Sequence, residues 1–549
     1  MFSAAFLSMK EDSLTFDELA HIGAGYSYLT QKDYRLNPEH PPLIKDLAAL
    51  PLLFLNLNFP SENQNWVQKE NPQWWVQFNF GRDFIFRSGN NPQKIIFFAR
   101  LPMLFVLMLL GWMLFKWAKE LGGNWMSLAV LFLFSFSPTF IAMGRLVTTD
   151  VGASLGAVLS TYFWLKLLKS QKKINIVLAG LSFGIAMLLK FSLVLLIPFF
   201  ATITVLYPIV FSKKLRRHLF LGITAVLIGT IFVIWPVYSF HTANYPPEKQ
   251  LSDTKFHLAP NPLTPVKNLT VWMADKPILR PLGQYLKGAL MAVQRVGFGN
   301  TVYFLGNISS SGWHYYFPII YLLKIPLALH FLSVLAIIGF LWKAKLKDWL
   351  KDNFDIFALF LFIVIYWLVA LSGNLNIGIR HLLPTLPFVY MLAIFGIKKL
   401  YSKISFSLKP AFLLLVVSLF GWYSFSSVKA FPDYIPYYNE LAGGTKNGYK
   451  IAVDSNYDWG QDFKKLVKFV EENNIKEMRL DYFGGEDPEY YLGAKYKKLD
   501  PKDLEETPKG WIAISITQFQ NSSYYQSWLK NHDPVAKAGN SIIIYYIQE

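Results

Sequence analysis

The chain contains no cysteine, which excludes disulfides, thiolate metal sites and cysteine nucleophiles and leaves any chemistry to oxygen and nitrogen groups. It is also poor in charge, with 16% Asp, Glu, Lys and Arg against 53% hydrophobic residues over 549 positions and a mean hydropathy of +0.29. That balance excludes an ordinary water-soluble enzyme of this length and makes lipid the main solvent. Short-period repeats and low-complexity segments are missing as well, so a solenoid or a disordered tether is not the organising principle. What is abundant is aromatic, 17% with 17 Trp and 29 Tyr, which suits many amphipathic rings at two membrane interfaces and around a substrate cleft.

The net charge of +17 invites a nucleic-acid reading until the charges are located. From residue 430 to the end there are 14 Lys and Arg against 18 Asp and Glu, so the basic excess belongs to the hydrophobic part. No nucleic-acid partner is expected. Ten apolar runs are long enough to suggest helices across about 30 Å of hydrocarbon. They are Ile95 to Ala118, Trp125 to Met143, Val151 to Leu168, Ile174 to Leu189, Leu193 to Phe211, Leu219 to Phe240, Phe317 to Trp342, Phe354 to Leu371, His381 to Ile397 and Ala411 to Val428. Lys116 and Lys119, Lys166 to Lys173, Lys213 to Arg217, Lys343 to Lys351 and Lys398 to Lys403 fall in every second connector. Because cytoplasmic loops collect Lys and Arg, the other connectors and both termini are expected outside the cytoplasm, in a multi-pass protein of the inner (plasma) membrane.

Three regions follow: an extracytoplasmic loop region with interfacial helices at 1–94, a transmembrane domain at 95–429 with an extracytoplasmic loop at about 241–316, and an extracytoplasmic α/β domain at 430–549. In the last, short strands are expected at Lys450 to Val453, Met478 to Tyr482, Trp511 to Ile516 and Ser541 to Ile547, with an amphipathic helix over Gln461 to Asn473. An outside N-terminus with only the short apolar run Met1 to Met9, too short to span, leads to the expectation of a missing first transmembrane helix, through either a start codon placed late or a natural truncation.

The densest polar constellation precedes the first long run. Asp17 and His21 lie four apart and share a face if Phe16 to Leu29 is helical, so the carboxylate can orient the imidazole or both can approach one ligand; simple N-terminal capping by Asp17 is the alternative. The run Asn37-Pro38-Glu39-His40-Pro41-Pro42 cannot be helix interior, because its prolines remove donors and extend their neighbours. It makes a stiff loop that either holds Glu39 and His40 over a cleft or only punctuates two helices. Asp150 closes the segment from Arg145 at the outer end of two runs, as a functional acid or a cap. Lys190, Arg380 and His381 lie at the same level, where a cation and a planar guanidinium suit a lipid phosphate; Lys190 snorkelling to headgroups remains open.

At Asp17-Glu18, Asn37 to Pro42 and Asp150 the chain resembles bacterial relatives of protein mannosyltransferases and of the lipid A aminoarabinose transferase, the glycosyltransferase family 39 group with the GT-C fold. Its tail, through Tyr438-Asn439-Glu440 and the run Asp454 to Asp462, looks like that of phospholipid-carrier-dependent glycosyltransferases. The resemblance implies a polytopic α-helical GT-C-like protein with a small extracytoplasmic α/β domain, taking a polyprenyl-phosphate-linked sugar from the bilayer to a protein, lipid or glycan acceptor. It implies Asp17 as base, Glu18 and Asp150 as acidic partners, and Arg380 as a phosphate contact, with His21, Glu39, His40, Lys190 and His381 around the substrates. A sugar on a lipid phosphate already has a good leaving group, so one carboxylate base is sufficient and direct displacement inverts the anomeric centre. A divalent metal ion on Asp17 and Asp150 is a further expectation, although no spacing here matches a metal signature. Two rivals stand beside the transferase: a transporter or lipid flippase, which would bury its charges near midplane, and a non-catalytic scaffold whose tail binds partners.

Overall fold

The computed structural model describes residues 1–67, 73–340, 346–500, 508–529 and 532–548. All ten apolar runs are helical in it, but they are not ten equal spans. Seven helices are long and apolar enough to cross a membrane: Pro92–Gly122, Thr149–Lys169, Phe191–Val210, Leu215–His241, Phe354–Ser372, Ile379–Lys403 and Phe406–Ala430. An eighth is a pair, Tyr316–Lys324 and Leu327–Phe340, bent by 108° where Pro326 interrupts the run. Residues 341–345, with the end of the Phe317 to Trp342 run and the basic positions Lys343 and Lys345, lie outside the described residues.

The expectation of ten full spans is corrected at the two remaining runs. Trp125 to Met143 divides into Asn124–Ser135 and Pro138–Met143 because Ser137 caps the second piece, accepting from the Phe140 N–H, and Pro138 takes its first position. Twelve residues of α-helix rise only about 18 Å. Ile174 to Leu189 becomes Lys173–Leu189, 17 residues, ended by extended backbone at Lys190.

The Lys- and Arg-rich connectors gather at one end of the bundle. Lys166 pairs with Glu120 at 3.3 Å and Lys169 with Asp355 at 2.5 Å, while Lys398 donates to the Gly122 carbonyl and Lys399 to Asn353. At the opposite end lie α1 (Phe2–Glu11), α2 (Phe16–Gln31), the Asn37 to Pro42 loop, and helices Pro247–Leu258, Thr264–Ala274 and Arg280–Phe298. A hairpin of β1 (Val302–Phe304) and β2 (Asn307–Ser309) follows them.

The tail is the expected α/β unit. Its sheet has the order β4-β3-β5-β7-β6, with β3 Met478–Asp481, β4 Tyr496–Lys498, β5 Gly510–Ser515, β6 Ala536–Ala538 and β7 Ile542–Ile547. β3 is parallel to both β4 and β5, and β7 closes antiparallel on β5 from Ser515–Ile542 to Gly510–Ile547. Helix Phe463–Glu472 buries Phe463, Leu466 and Val470, at i, i+3 and i+7, against Met478, Leu480, Ile542 and Ile544. The expected strand at Lys450 to Val453 is instead a turn making a single bridge between Ala452 and Phe304.

The tail is bound to the chain's beginning. Ser13 and Phe16 N–H groups donate to the Gln461 and Trp459 carbonyls, Gly485 N–H to Leu14, and Phe16 stacks on Phe483 with centroids 5.0 Å apart. The packed surface thus runs unbroken from the span bundle into the tail.

Candidate functional site

The start of α2 is built by Glu18, whose carboxylate accepts from Thr15 N–H and Oγ1 in a capping box. The same carboxylate takes two bonds from Arg100, at 2.7 and 2.8 Å, and one from the Val147 N–H. Burial alone would raise the Glu18 carboxyl, but the Arg100 guanidinium and these N–H donors outweigh it and hold it below the usual range. Glu18 therefore does not join its neighbour. It is a clamp between helix, span and loop, and its expected part as an acidic partner of Asp17 gives way to that role.

Asp17, one residue earlier, takes a different arginine. Arg380 Nη1 donates to Asp17 Oδ2 at 2.7 Å and lies 3.6 Å from Asp150 Oδ2, while Lys190 is paired with Asp150 Oδ1. Carboxylate, guanidinium, carboxylate and ammonium form one chain of alternating charge. Asp150, Lys190 and Arg380 each stand at the N-terminal end of a span, Thr149–Lys169, Phe191–Val210 and Ile379–Lys403, so helix ends carrying positive partial charge meet there. The Arg380 Nε and the Asp150 Oδ2 have no hydrogen-bond partner, nor does the adjacent His381 Nε2.

The Pro-rich loop is held by a buried ammonium. Lys45 Nζ donates to the Asn37 and His40 carbonyls, to Asn37 Oδ1 and to Tyr28 Oη, all within 3.0 Å, and burial pushes this lysine well below its usual pKa. The clamp sets the His40 ring edge-on to His21, centroids 5.1 Å apart. His21 Nδ1 lies 2.7 Å from the Val147 carbonyl, which can only accept, so the proton sits on Nδ1 and Nε2 carries the lone pair. Burial lowers both imidazoles, His40 strongly, against the raising effect of Asp17 on His21.

Glu39 points elsewhere. It accepts from Trp74 Nε1 at 2.9 Å and lies 3.5 Å from Arg295, on the wall of a cavity of about 530 Å³ that Trp74, Phe256, Met291 and Phe298 also line. The structure thus gathers Asp17, Asp150, Lys190 and Arg380, sets His21, His40 and His381 around them, and separates Glu18 and Glu39.

Two contributions come from the tail run Asp454 to Asp462, whose expected part is sugar stacking or a turn entering the helix and whose place beside Arg380 is not legible in sequence. Trp459 lies flat enough under Arg380 for the guanidinium carbon to stand 4.3 Å from the ring centroid, a cation–π contact that fixes the plane of the fork. Asp454, at φ +57°, belongs to a turn gripping the Arg380 segment: Asn456 Oδ1 accepts from the Ile379 N–H and Ser455 Oγ donates to the Ile377 carbonyl. Burial pushes the Asp454 carboxyl up to about 6 despite Arg380 favouring its charged form. Two further arginines, Arg100 and Arg145, the latter paired to Asp12 at 2.5 Å, were legible as charges inside or at the edge of apolar runs, which are expensive there unless used.

No three His, Asp or Glu side chains among the described residues are grouped to hold a metal ion. The two carboxylates expected to do so lie on either side of the Arg380 guanidinium, which already supplies positive charge between them.

Residues 89–235 match the family model for dolichyl-phosphate-mannose-protein mannosyltransferase. This segment resembles those glycosyltransferases. It carries Arg100, which pairs with Glu18, Arg145, which pairs with Asp12, and Asp150 with Lys190, the acid of that pair also facing Arg380. No curated protein matches the chain. Among solved structures it is similar to ArnT from Cupriavidus metallidurans in the apo state, at 12% identity over 99% of this chain and 95% of that one with a TM-score of 0.33. It is likewise similar to the same protein bound to undecaprenyl phosphate, at 11% identity over 99% and 96% with a TM-score of 0.33. A score of that size carries nothing about function. The expected class, a polytopic helical protein with a small α/β tail, is the architecture described above.

Proposed function

We propose that this protein is a membrane glycosyltransferase that moves a sugar from a polyprenyl-phosphate donor to an acceptor hydroxyl, with Asp17 as the base. The reading rests on one observation above all: a carboxylate 2.7 Å from a guanidinium that also faces a second acid, itself paired with a lysine, at the ends of three spans. A donor phosphate entering laterally from the bilayer competes with Asp17 for Arg380, through the fork and its unpartnered Nε. Asp17 is thereby released to accept the proton of the acceptor hydroxyl. The hydroxyl oxygen attacks the anomeric carbon from the face opposite the phosphate, the carbon–oxygen bond to phosphate breaks, and the configuration inverts. Arg380 and Lys190 neutralise the departing phosphate, and Asp150, which holds both, keeps them in place. His21 and His40 border the acceptor path as neutral rings.

The charges support an extracytoplasmic face for the site. The Lys- and Arg-rich connectors lie at the opposite end of the bundle, so the cluster and tail are extracytoplasmic by the positive-inside distribution. Charges at span ends rather than at mid-helix speak against the transporter reading.

The test supplies radiolabelled undecaprenyl-phosphate sugars and membrane extract to purified wild type and Asp17→Asn. Label transfer by the wild type and its loss in a folded Asp17→Asn protein support the reading; equal transfer by both removes Asp17 as base.

A further inference from the structure

A second polar cavity lies in the tail, apart from the charge cluster. It measures about 400 Å³ and is lined by Asp481, Gln518, Asn521, Ser522, Ser523 and the tyrosines Tyr524 and Tyr525. Its place in the sheet is informative. The chain leaves β3 to pair β4 on one side and then returns past β3 to β5 on the other, while β5 continues toward β7. The carboxyl ends of β3 and β5 are therefore the point where connections diverge, and in α/β sheets ligands bind in the crevice there. Asp481 ends β3, and the Gln518 to Tyr525 stretch follows β5.

The lining has one chemical character. Asp481 accepts from Gln518 Nε2 at 2.9 Å and from Tyr525 Oη at 2.8 Å, which fixes carboxylate and amide together. Asn521 Oδ1 is buried without a hydrogen-bond partner, an acceptor suited to a ligand hydroxyl. The Tyr524 side chain is 64% exposed, a ring for stacking at the rim. A carboxylate, two amides, two serine hydroxyls and an open aromatic ring, with no cation among them, is the lining that recognises a neutral carbohydrate. The cavity also adjoins the catalytic end: Gln518 follows Thr517, whose Oγ1 accepts from the Asp454 N–H at 3.1 Å.

We infer that this cavity is a carbohydrate subsite of the tail that holds a non-reacting ring of a glycan acceptor while the reacting hydroxyl extends past Asp454 to Asp17. The inference rests on the transferase reading and names the acceptor class that reading leaves open. The tail then selects acceptors, and the span bundle handles the donor.

The test titrates the full-length protein with cellobiose, chitobiose, maltose and α-1,2-mannobiose by saturation-transfer NMR, alongside undecaprenyl phosphate. At least one disaccharide is expected to bind, weakened tenfold or more by Tyr524→Ala and by Asp481→Asn, with undecaprenyl phosphate binding untouched by these two and weakened by Arg380→Ala. Tyr524 is exposed, so its variant folds even if Asp481→Asn does not. In turnover, Tyr524→Ala raises the acceptor KM at least fivefold with kcat held within twofold. The inference is overturned if no disaccharide binds, if binding survives both substitutions, or if a Ser- and Thr-rich peptide binds the cavity instead. If the wild type transfers no label from any donor, the transferase reading itself fails, whatever the disaccharides do.

Discussion

The two ends of the span bundle use the same residue types for opposite ends. At the basic end, Lys166 and Glu120 form a pair whose side chains are 39% and 43% exposed. At the other end, Arg100 with Glu18, Arg145 with Asp12 and Lys190 with Asp150 are almost wholly buried. An exposed pair contributes little because water screens it, whereas a buried charge stripped of its partner is strongly unfavourable. One end carries charge as an address in the membrane; the other carries it as architecture and chemistry.

The comparison breaks most sharply at Asp17. Asp17→Asn is expected to lower label transfer by about 10²–10⁴-fold, the usual contribution of a general base, with a smaller loss of stability than at Glu18 because Asp150 still faces Arg380. Its neighbour behaves in the reverse way: Glu18→Gln leaves Arg100 buried without its carboxylate and costs about 3–5 kcal/mol of stability, read as lost thermal midpoint and yield. Replacing both partners with methionine recovers a good part of that loss, which a catalytic Glu18 would not allow.

Lys190→Met separates the phosphate site from the base. Asp150 then draws on Arg380 alone, and undecaprenyl phosphate affinity is expected to fall about tenfold, roughly 1.4 kcal/mol, as measured by calorimetry in nanodiscs.

Asp454 tests the tail's share of the cluster by pH. Its carboxyl is raised to about 6 by burial, so below that pH the folded protein holds a proton that the unfolded chain, titrating near 4, has given up. Stability from this group is full below about 4 and is lost as pH rises through 6. Thermal midpoints of wild type and Asp454→Asn are expected to diverge across that window in just this sense; parallel curves would remove Asp454 from the cluster's electrostatics. At the basic end, Lys166→Gln is expected to change stability by no more than about 0.5 kcal/mol, measured by the same melts.

How much of this was legible beforehand follows from where the information lies. The apolar runs are local, and they announced nearly every helix; the breaks at Pro138 and Pro326 are local too, but a hydropathy reading averages across them. Asp150, Lys190 and Arg380 stood out because charge at the edge of an apolar run is costly, and Asp17 because it lies in the densest polar constellation of the chain. Their pairing did not, since Asp17 and Arg380 are separated by 363 positions. Adjacent residues misled most. Asp17 and Glu18 read as a unit, yet a helix turns about 100° per residue, so consecutive side chains serve different neighbours. Glu39 was drawn toward the cluster by His40 for the same reason, although the rigid loop sends the two side chains apart.

The bonds from Ser13 and Phe16 to Gln461 and Trp459 have a consequence for biosynthesis. Asp17 is synthesised long before its partner site is finished, because the ring beneath Arg380 belongs to the tail. Through most of translation and insertion the base and its guanidinium wait without that platform. A chain released before the tail is made lacks the Trp459 ring under Arg380, however well its spans have entered the bilayer.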